Sequence, residues 1–344
     1  MNTRALLVIV ALLTVLAVSW WQGNVKEKGR VATPPTAEET STVAESGRDA
    51  LLPLPEVPQL PVEKVALGKR LFFEKRLSHD NTLACASCHD FTRGGTDRLR
   101  VSVGVGGAKG AVNAPTIFNA SLNFVQFWDG RAASLEAQAA GPVHNPLEMA
   151  SSWEEAIPKL QADGDYRAAF GRLYPQGMSG ATIVDAIATY ERTLLTPNSR
   201  FDRFLRGNKS ALDALEQLGY RRFLDHGCAS CHQGVLVGGN LFQRFGVMGD
   251  YFKDRPATQG TPADLGRFNV TGRAEDRHVF KVPSLRNVAV TTPYFHDGSA
   301  ASLQEAVIVM GRYQLGRDLS GADVLAIVAF LRSLTGEWDG QFLQ

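Results

Sequence analysis

The chain carries no cysteine outside two short motifs; its four cysteines are Cys85, Cys88, Cys228 and Cys231. No pair is left over for a structural disulfide, so whatever these thiols do, they do inside their motifs. Net charge is nearly absent as well. Basic and acidic residues number 36 and 35, for a formal charge of +1, and without a basic surplus there is no electrostatic case for nucleic acid as a partner. Strand-like alternation is scarce, while Gly and Pro punctuate the loops, so sheets are not expected to organise the fold. What remains is 344 residues, 44% of them apolar, enough for two domains with real cores.

One long apolar run exists. Residues 5–21, ALLVIVALLTVLAVSWW, follow Arg4. Such a run is at the short end for a membrane span. No A-x-A-like cleavage site follows it, and Trp20 and Trp21 suit a membrane interface. Residues 1–21 therefore read as an inner-membrane anchor in preference to a cleaved signal peptide, with both readings open. Residues 22–52, rich in Glu, Thr, Ser, Ala and Pro, read as a flexible linker. The globular part is expected from Pro53.

Helical spacing recurs at Val65, Leu67, Leu71 and Phe72. It returns at Leu212, Leu215, Leu218 and Phe223 behind a Ser210–Asp213 capping pair, and again in the run after Ser320. An internal repeat underlies this pattern. LGKRLF (67–72) is echoed by LGYRRF (218–223), APTIFNA (114–120) by VPSLRNV (282–288), and FWDGRAASLEA (127–137) by FHDGSAASLQEA (295–306). The intervals match too: Pro115 to Asp129 and Pro283 to Asp297 are each 14 residues. The expected architecture is mainly α, with two domains, 53–200 and 201–344, from one internal duplication.

Each half contains the pentapeptide CASCH, at 85–89 and 228–232. CxxCH is the attachment signature of c-type haem. Two thiolates bond one edge of the porphyrin, and the adjacent histidine, His89 or His232, meets the iron. Zinc would want four ligands, and a redox dithiol has no use for the trailing histidine. Two covalently bound haem c groups are expected, in two cytochrome c-type domains. Because such attachment occurs outside the bacterial cytoplasm, a periplasmic location follows.

Function then turns on the sixth position of each iron. A second strong ligand makes an electron carrier, whereas an open position makes a catalyst. Ser302 and Glu305 form a capping box for a helix that carries Met310 at its end. Spacing alone leaves Met310 equally a ligand of the second iron or a core residue.

From about 53 to 340 the chain resembles the bacterial dihaem cytochrome c peroxidase family, which also contains the MauG-type enzymes. The resemblance rests on the two CxxCH motifs together with GGAKGAVNAPTIFNA, FWDGR, NPLEM, FKVPSLRNVAVTTPYFHDG and MGRYQLG, in that order. It implies an enzyme that reduces hydrogen peroxide to water with electrons from a small cytochrome c, a copper protein or quinol, and that is often a homodimer. It implies Met310 as the distal ligand of the second haem, where the MauG-type enzymes carry Tyr; methionine suits a haem that collects electrons. Splitting peroxide needs a carboxylate or imidazole that moves a proton between the two oxygens, and Glu148 of NPLEM stands at the family's catalytic glutamate. Trp128 matches a tryptophan between the haems that relays electrons; a core aromatic beside an Asp-Gly turn is the alternative. The side chain of Asn113 and the carbonyls of Thr291 and Pro293 match a calcium site.

The resemblance fails at one place. Many members hold a loop histidine sixteen residues after the first proximal histidine, and it ligates the first iron until the other haem is reduced. Here that position is Val105, in VSVGVGGAKG. Valine cannot ligate iron, so the first haem is expected to be open when oxidised, unless His79 or His144 swings in, and to need no reductive activation. His296, the repeat counterpart of Trp128, is expected to be structural or to touch a haem propionate. Two other functions stand beside the peroxidase. A MauG-like oxidase of a protein or organic substrate is opposed by Met310, and a plain dihaem electron carrier is opposed by Val105.

Overall fold

A computed structural model of the chain describes residues 50–256 and 260–344. The expected anchor at 1–21, and the linker from 22 to 49, lie outside the described residues. All described residues belong to one compact unit. Among them no helix is long and apolar enough to cross a membrane.

The longer helices of the first half are α1 (Val62–Phe72), α2 (Leu135–His144), α3 (Trp153–Gln161), α4 (Gly164–Leu173) and α5 (Gly180–Glu191). Those of the second half are α6 (Ala214–Asp225), α7 (Leu303–Leu315) and α8 (Gly321–Arg332). Strand β1 (Phe242–Arg244) pairs antiparallel with β2 (Val279–Lys281), and β3 (Glu337–Trp338) with β4 (Gln341–Phe342). The fold is mainly helical, as the scarcity of alternating residues predicted.

Helix α1 packs across α5, and α6 across α8. Each crossing has a glycine at its centre. A Cβ on Gly68 would lie 1.9 Å from the Ala186 carbonyl oxygen, and one on Gly219 would lie 1.8 Å from that of Ala326. Only a residue without a side chain lets the backbones approach this closely. These are the glycines of LGKRLF and LGYRRF, so that echo corresponds to the same helix crossing in both halves. Further along, Asn119 and Asn287 both adopt left-handed backbone, as do Phe127 and Phe295. A β-bridge closes each of the turns that follow, Gln126 with Ala132 and Tyr294 with Ala300. Ser134 and Ser302 then cap α2 and α7.

Two expected caps are shifted. Helix α6 is capped by Asp213, which accepts from the Glu216 N–H while Glu216 accepts from the Asp213 N–H. Ser210 instead belongs to a short turn bonded to Asn208. A carboxylate at this place also complements the positive end of the helix, which a hydroxyl cannot do. At α7 half of the expected box forms: Ser302 caps, but Glu305 accepts from Ala301.

Each half has its own core. Leu71, Phe72, Phe118 and Ile183 belong to the first, and Phe201, Tyr220, Ile327 and Phe330 to the second. The first and last described stretches are exchanged between them. Leu51, expected in the flexible linker, is 1% exposed within the second core and forms a bridge with Gly234. Leu343 joins the first core, with Trp338 alongside, its ring 4.9 Å from that of Phe91. Residues 50–52 are therefore part of the folded unit, and neither core is built from one uninterrupted stretch.

Candidate functional site

The first CASCH forms a single helical turn, Cys85–Cys88. It brings the His89 N–H to the Cys85 carbonyl at 3.0 Å. His89 Nδ1 lies 3.2 Å from the Gly95 carbonyl oxygen. Engaging Nδ1 as a donor leaves Nε2 as the free lone pair, the tautomer that a metal requires. Burial pushes the imidazole below its ordinary pKa, which keeps it neutral. Burial also pushes the Cys85 thiol up to about 12 and that of Cys88 to about 11. The second CASCH is a tighter turn, Cys228–Ser230, with the His232 N–H on the Cys228 carbonyl at 3.0 Å. His232 faces the carbonyls of Val237 and Pro283, and burial lowers its pKa to about 4. Among the described residues its Nδ1 completes no hydrogen bond.

A cavity of about 410 Å³ opens on Cys228, Cys231 and His232, with Met310 of α7 in its wall beside Phe223, Phe245 and Phe280. Two free thiols at one edge, a neutral imidazole, a thioether and apolar faces are the donor set and shape that a covalently bound macrocycle needs. Trp128 and the three expected calcium residues, Asn113, Thr291 and Pro293, also border this cavity. The Asn113 amide nitrogen donates to Leu99 O at 2.8 Å, which orients the side chain. Trp128 Nε1 donates to the Asn113 carbonyl at 3.0 Å, and its own carbonyl accepts from Lys281 N–H at 2.8 Å. The tryptophan is thereby held from both halves.

Glu148 follows α2 in a turn built by Asn145. The Asn145 amide nitrogen donates to Glu148 Oε1 at 2.6 Å, while its oxygen accepts from Leu147 N–H at 3.0 Å. Burial raises the Glu148 pKa; the Asn145 bond and the Arg131 guanidinium oppose that shift. The carboxylate is close enough to both Cys85 and Cys88 to act on their thiols. Val105 begins a short turn, Val105–Gly107, closed by a bridge between Val103 and Lys109. His79 and His144 are engaged elsewhere: His79 Nδ1 with Glu155 at 3.0 Å, and His144 edge-on to Trp153 with ring centres 5.2 Å apart.

His296 is 2% exposed and bonds through Nε2 to Asp264 at 2.7 Å. Asp264, His296 and Asp297 lie close enough to suggest a metal cluster. Arg255 already bridges the two carboxylates, so a guanidinium stands where a cation would. Sequence reasoning missed Asn145, Arg131, Lys281 and Arg255. Asn145 was readable in principle, since Asn-Pro favours a turn in which the asparagine side chain bonds two residues on. The others depend on tertiary contacts that leave no local pattern.

Residues 62–210 match the family model described as di-haem cytochrome c peroxidase. A cytochrome c peroxidase of Escherichia coli strain K12 is 49% identical over 296 residues, covering 86% of this chain and 63% of that protein's length. A cytochrome c551 peroxidase of Nitrosomonas europaea is 45% identical over 295 residues, covering 85% of this chain and 86% of the relative. Among solved structures, a MauG-like protein associated with microbial copper homeostasis superposes with a TM-score of 0.73 at 32% identity, over 83% of this chain and 94% of that one. With this similarity across both halves, and both CxxCH sites formed, the chain belongs to the di-haem cytochrome c peroxidase family of oxidoreductase enzymes.

Proposed function

We propose that this chain reduces hydrogen peroxide to two waters, consuming two protons and two electrons, with a small redox protein or quinol as the electron source and the periplasm as its site of action. Cys85, Cys88 and His89 would hold one haem c, and Cys228, Cys231, His232 and Met310 the other; the bound groups supply redox-active iron. Glu148 serves as the acid/base. Burial makes its carboxylate a stronger base than a solvated one, and the Asn145 bond fixes its orientation. Trp128, gripped from both halves, bridges the two sites. Asn113, Thr291 and Pro293 would offer oxygen ligands to a calcium ion, and the two haem domains derive from one duplicated unit. Membrane attachment through 1–21 and homodimer formation belong to the same reading.

The observation that carries it is a half-buried, oriented carboxylate near the first CASCH, bonded to a second loop that has valine where the resemblance would put a closing ligand. The test is turnover of peroxide with reduced cytochrome c by the haem-loaded protein, alongside turnover with an organic substrate alone. Peroxide-dependent oxidation of cytochrome c is expected. Activity with only the organic substrate would replace this reading with the MauG-like one, which the 32% identity to a MauG-like protein makes the alternative to measure.

A further inference from the structure

The cavity that opens on Cys228, Cys231 and His232 has no carboxylate in its wall, yet three cationic side chains border it, Arg244, Lys281 and Arg286. Arg286 is fully buried and already paired with Asp202 at 2.8 Å. Arg244 is exposed at the rim. Lys281 differs from both. It is 8% exposed, its Nζ reaches the Asn123 amide oxygen at 3.2 Å, and among the described residues no acid pairs with it. Burial pulls its pKa down to about 8, as expected for a charge removed from water without a counter-ion. A lysine normally escapes this situation by extending its stem to solvent. Here the backbone of β2 is fixed from two sides. The Lys281 N–H donates to the Trp128 carbonyl at 2.8 Å, and Phe242 lies opposite in β1.

A haem c bonded through Cys228 and Cys231 carries two propionates on the edge away from its thioethers. Those carboxylates would be the negative charge that the cavity's own walls lack. We infer that Lys281 is the counter-ion of a propionate of the second haem and raises that haem's reduction potential. The inference rests on the haem reading above. A buried positive charge near the ring favours the state with one electron more, and it does so strongly because little water screens it. Lys281 is also bonded through its backbone to Trp128, the residue proposed to bridge the two sites.

The haem-loaded protein and its variants K281M, K281R and R244Q are compared by spectroelectrochemical titration, following the low-spin, methionine-ligated haem. K281M is expected to lower the midpoint potential, and K281R to restore it towards that of the parent. R244Q should produce a smaller shift that disappears at high salt, because a rim charge is screened and a buried one is not. K281Q keeps a polar partner for Asn123 and reads the same quantity if K281M does not accumulate. An unchanged midpoint in K281M or K281Q, with haem content and low-spin spectrum equal to the parent, overturns the inference. A parent protein that lacks the second haem, or lacks methionine ligation, would instead overturn the haem reading, and the spectrum separates the two failures.

Discussion

The Val105 backbone N–H donates to the Glu148 carbonyl oxygen at 2.8 Å. The residue that stands where many family members carry a closing ligand is thus bonded to the residue proposed as acid/base. Gly104 reinforces the contact, since a Cβ there would lie 2.1 Å from the Leu147 carbonyl oxygen. A side chain at 105 is therefore presented by a loop that rests on the Glu148 turn.

This arrangement makes the resting state testable. The oxidised, haem-loaded chain is expected to show one high-spin and one low-spin haem by electron paramagnetic resonance, and to react with peroxide before any electron is supplied. Val105→His should convert the high-spin signal to low-spin and make the reaction wait for reduction. A parent that is low-spin throughout and inert towards peroxide would show that another ligand, His79 or His144, closes the site.

Glu148→Gln keeps the size of the side chain and removes the proton acceptor. Both haem spectra should survive while peroxide turnover falls by about 10²–10⁴-fold. Asn145→Ala acts differently. The Asn145 bond favours the charged carboxylate, so its loss should raise the Glu148 pKa further. The acid limb of the pH–rate profile should then move to higher pH, with activity recovered at alkaline pH. A profile that merely scales down, without moving, would assign Asn145 a structural role only.

The two helix crossings give a stability prediction. Gly68→Ala and Gly219→Ala each place a methyl group within 2 Å of a backbone oxygen, that of Ala186 or of Ala326. The helices must separate, at a cost on the order of 1–3 kcal/mol or more for overpacking. Thermal unfolding of the haem-loaded variants should show a lowered midpoint in both, and a control Gly171→Ala, where nothing lies within 4 Å, should not.

How far the sequence could be read follows the range of the interactions. The CASCH turns, the α1 and α6 spacings and the helix after Ser320 depend on neighbours a few residues away, so periodicity and motif were enough. The α6 cap lies three residues beyond Ser210 because Ser210 and Asp213 both fit the pattern, and only the finished turn shows which side chain faces the helix. Leu51 and Leu343 were missed for another reason. An apolar run as short as 50–52 or 342–343 has no period, and its burial is decided by a core that other stretches build. Glu148 and Val105 were singled out through their motifs, yet the hydrogen bond joining them spans two loops. Lys281 was invisible because a three-residue strand gives no face to read.

Glu191, at the end of α5, offers the last test. It is 3% exposed, and among the described residues its Oε2 has no hydrogen-bond partner. Burial raises its pKa to about 8; Arg192 opposes the rise, and Glu136 adds to it. Arg192 is turned to Glu136 at 2.5 Å, and the other groups close enough to couple with Glu191 are Cys85 and Tyr190. In the unfolded chain a glutamate titrates near 4.3. Between that value and about 8 the folded protein keeps a proton that the unfolded chain releases, so stability falls as pH rises through this window. Each tenfold difference in proton affinity counts about 1.4 kcal/mol, so the loss grows to a few kcal/mol by pH 8. Glu191→Gln removes the titration. Unfolding of haem-loaded parent and variant should give similar stabilities near pH 4 and a variant increasingly more stable towards pH 8. Parallel curves across that range would mean that the Glu191 carboxyl ionises freely in the folded protein.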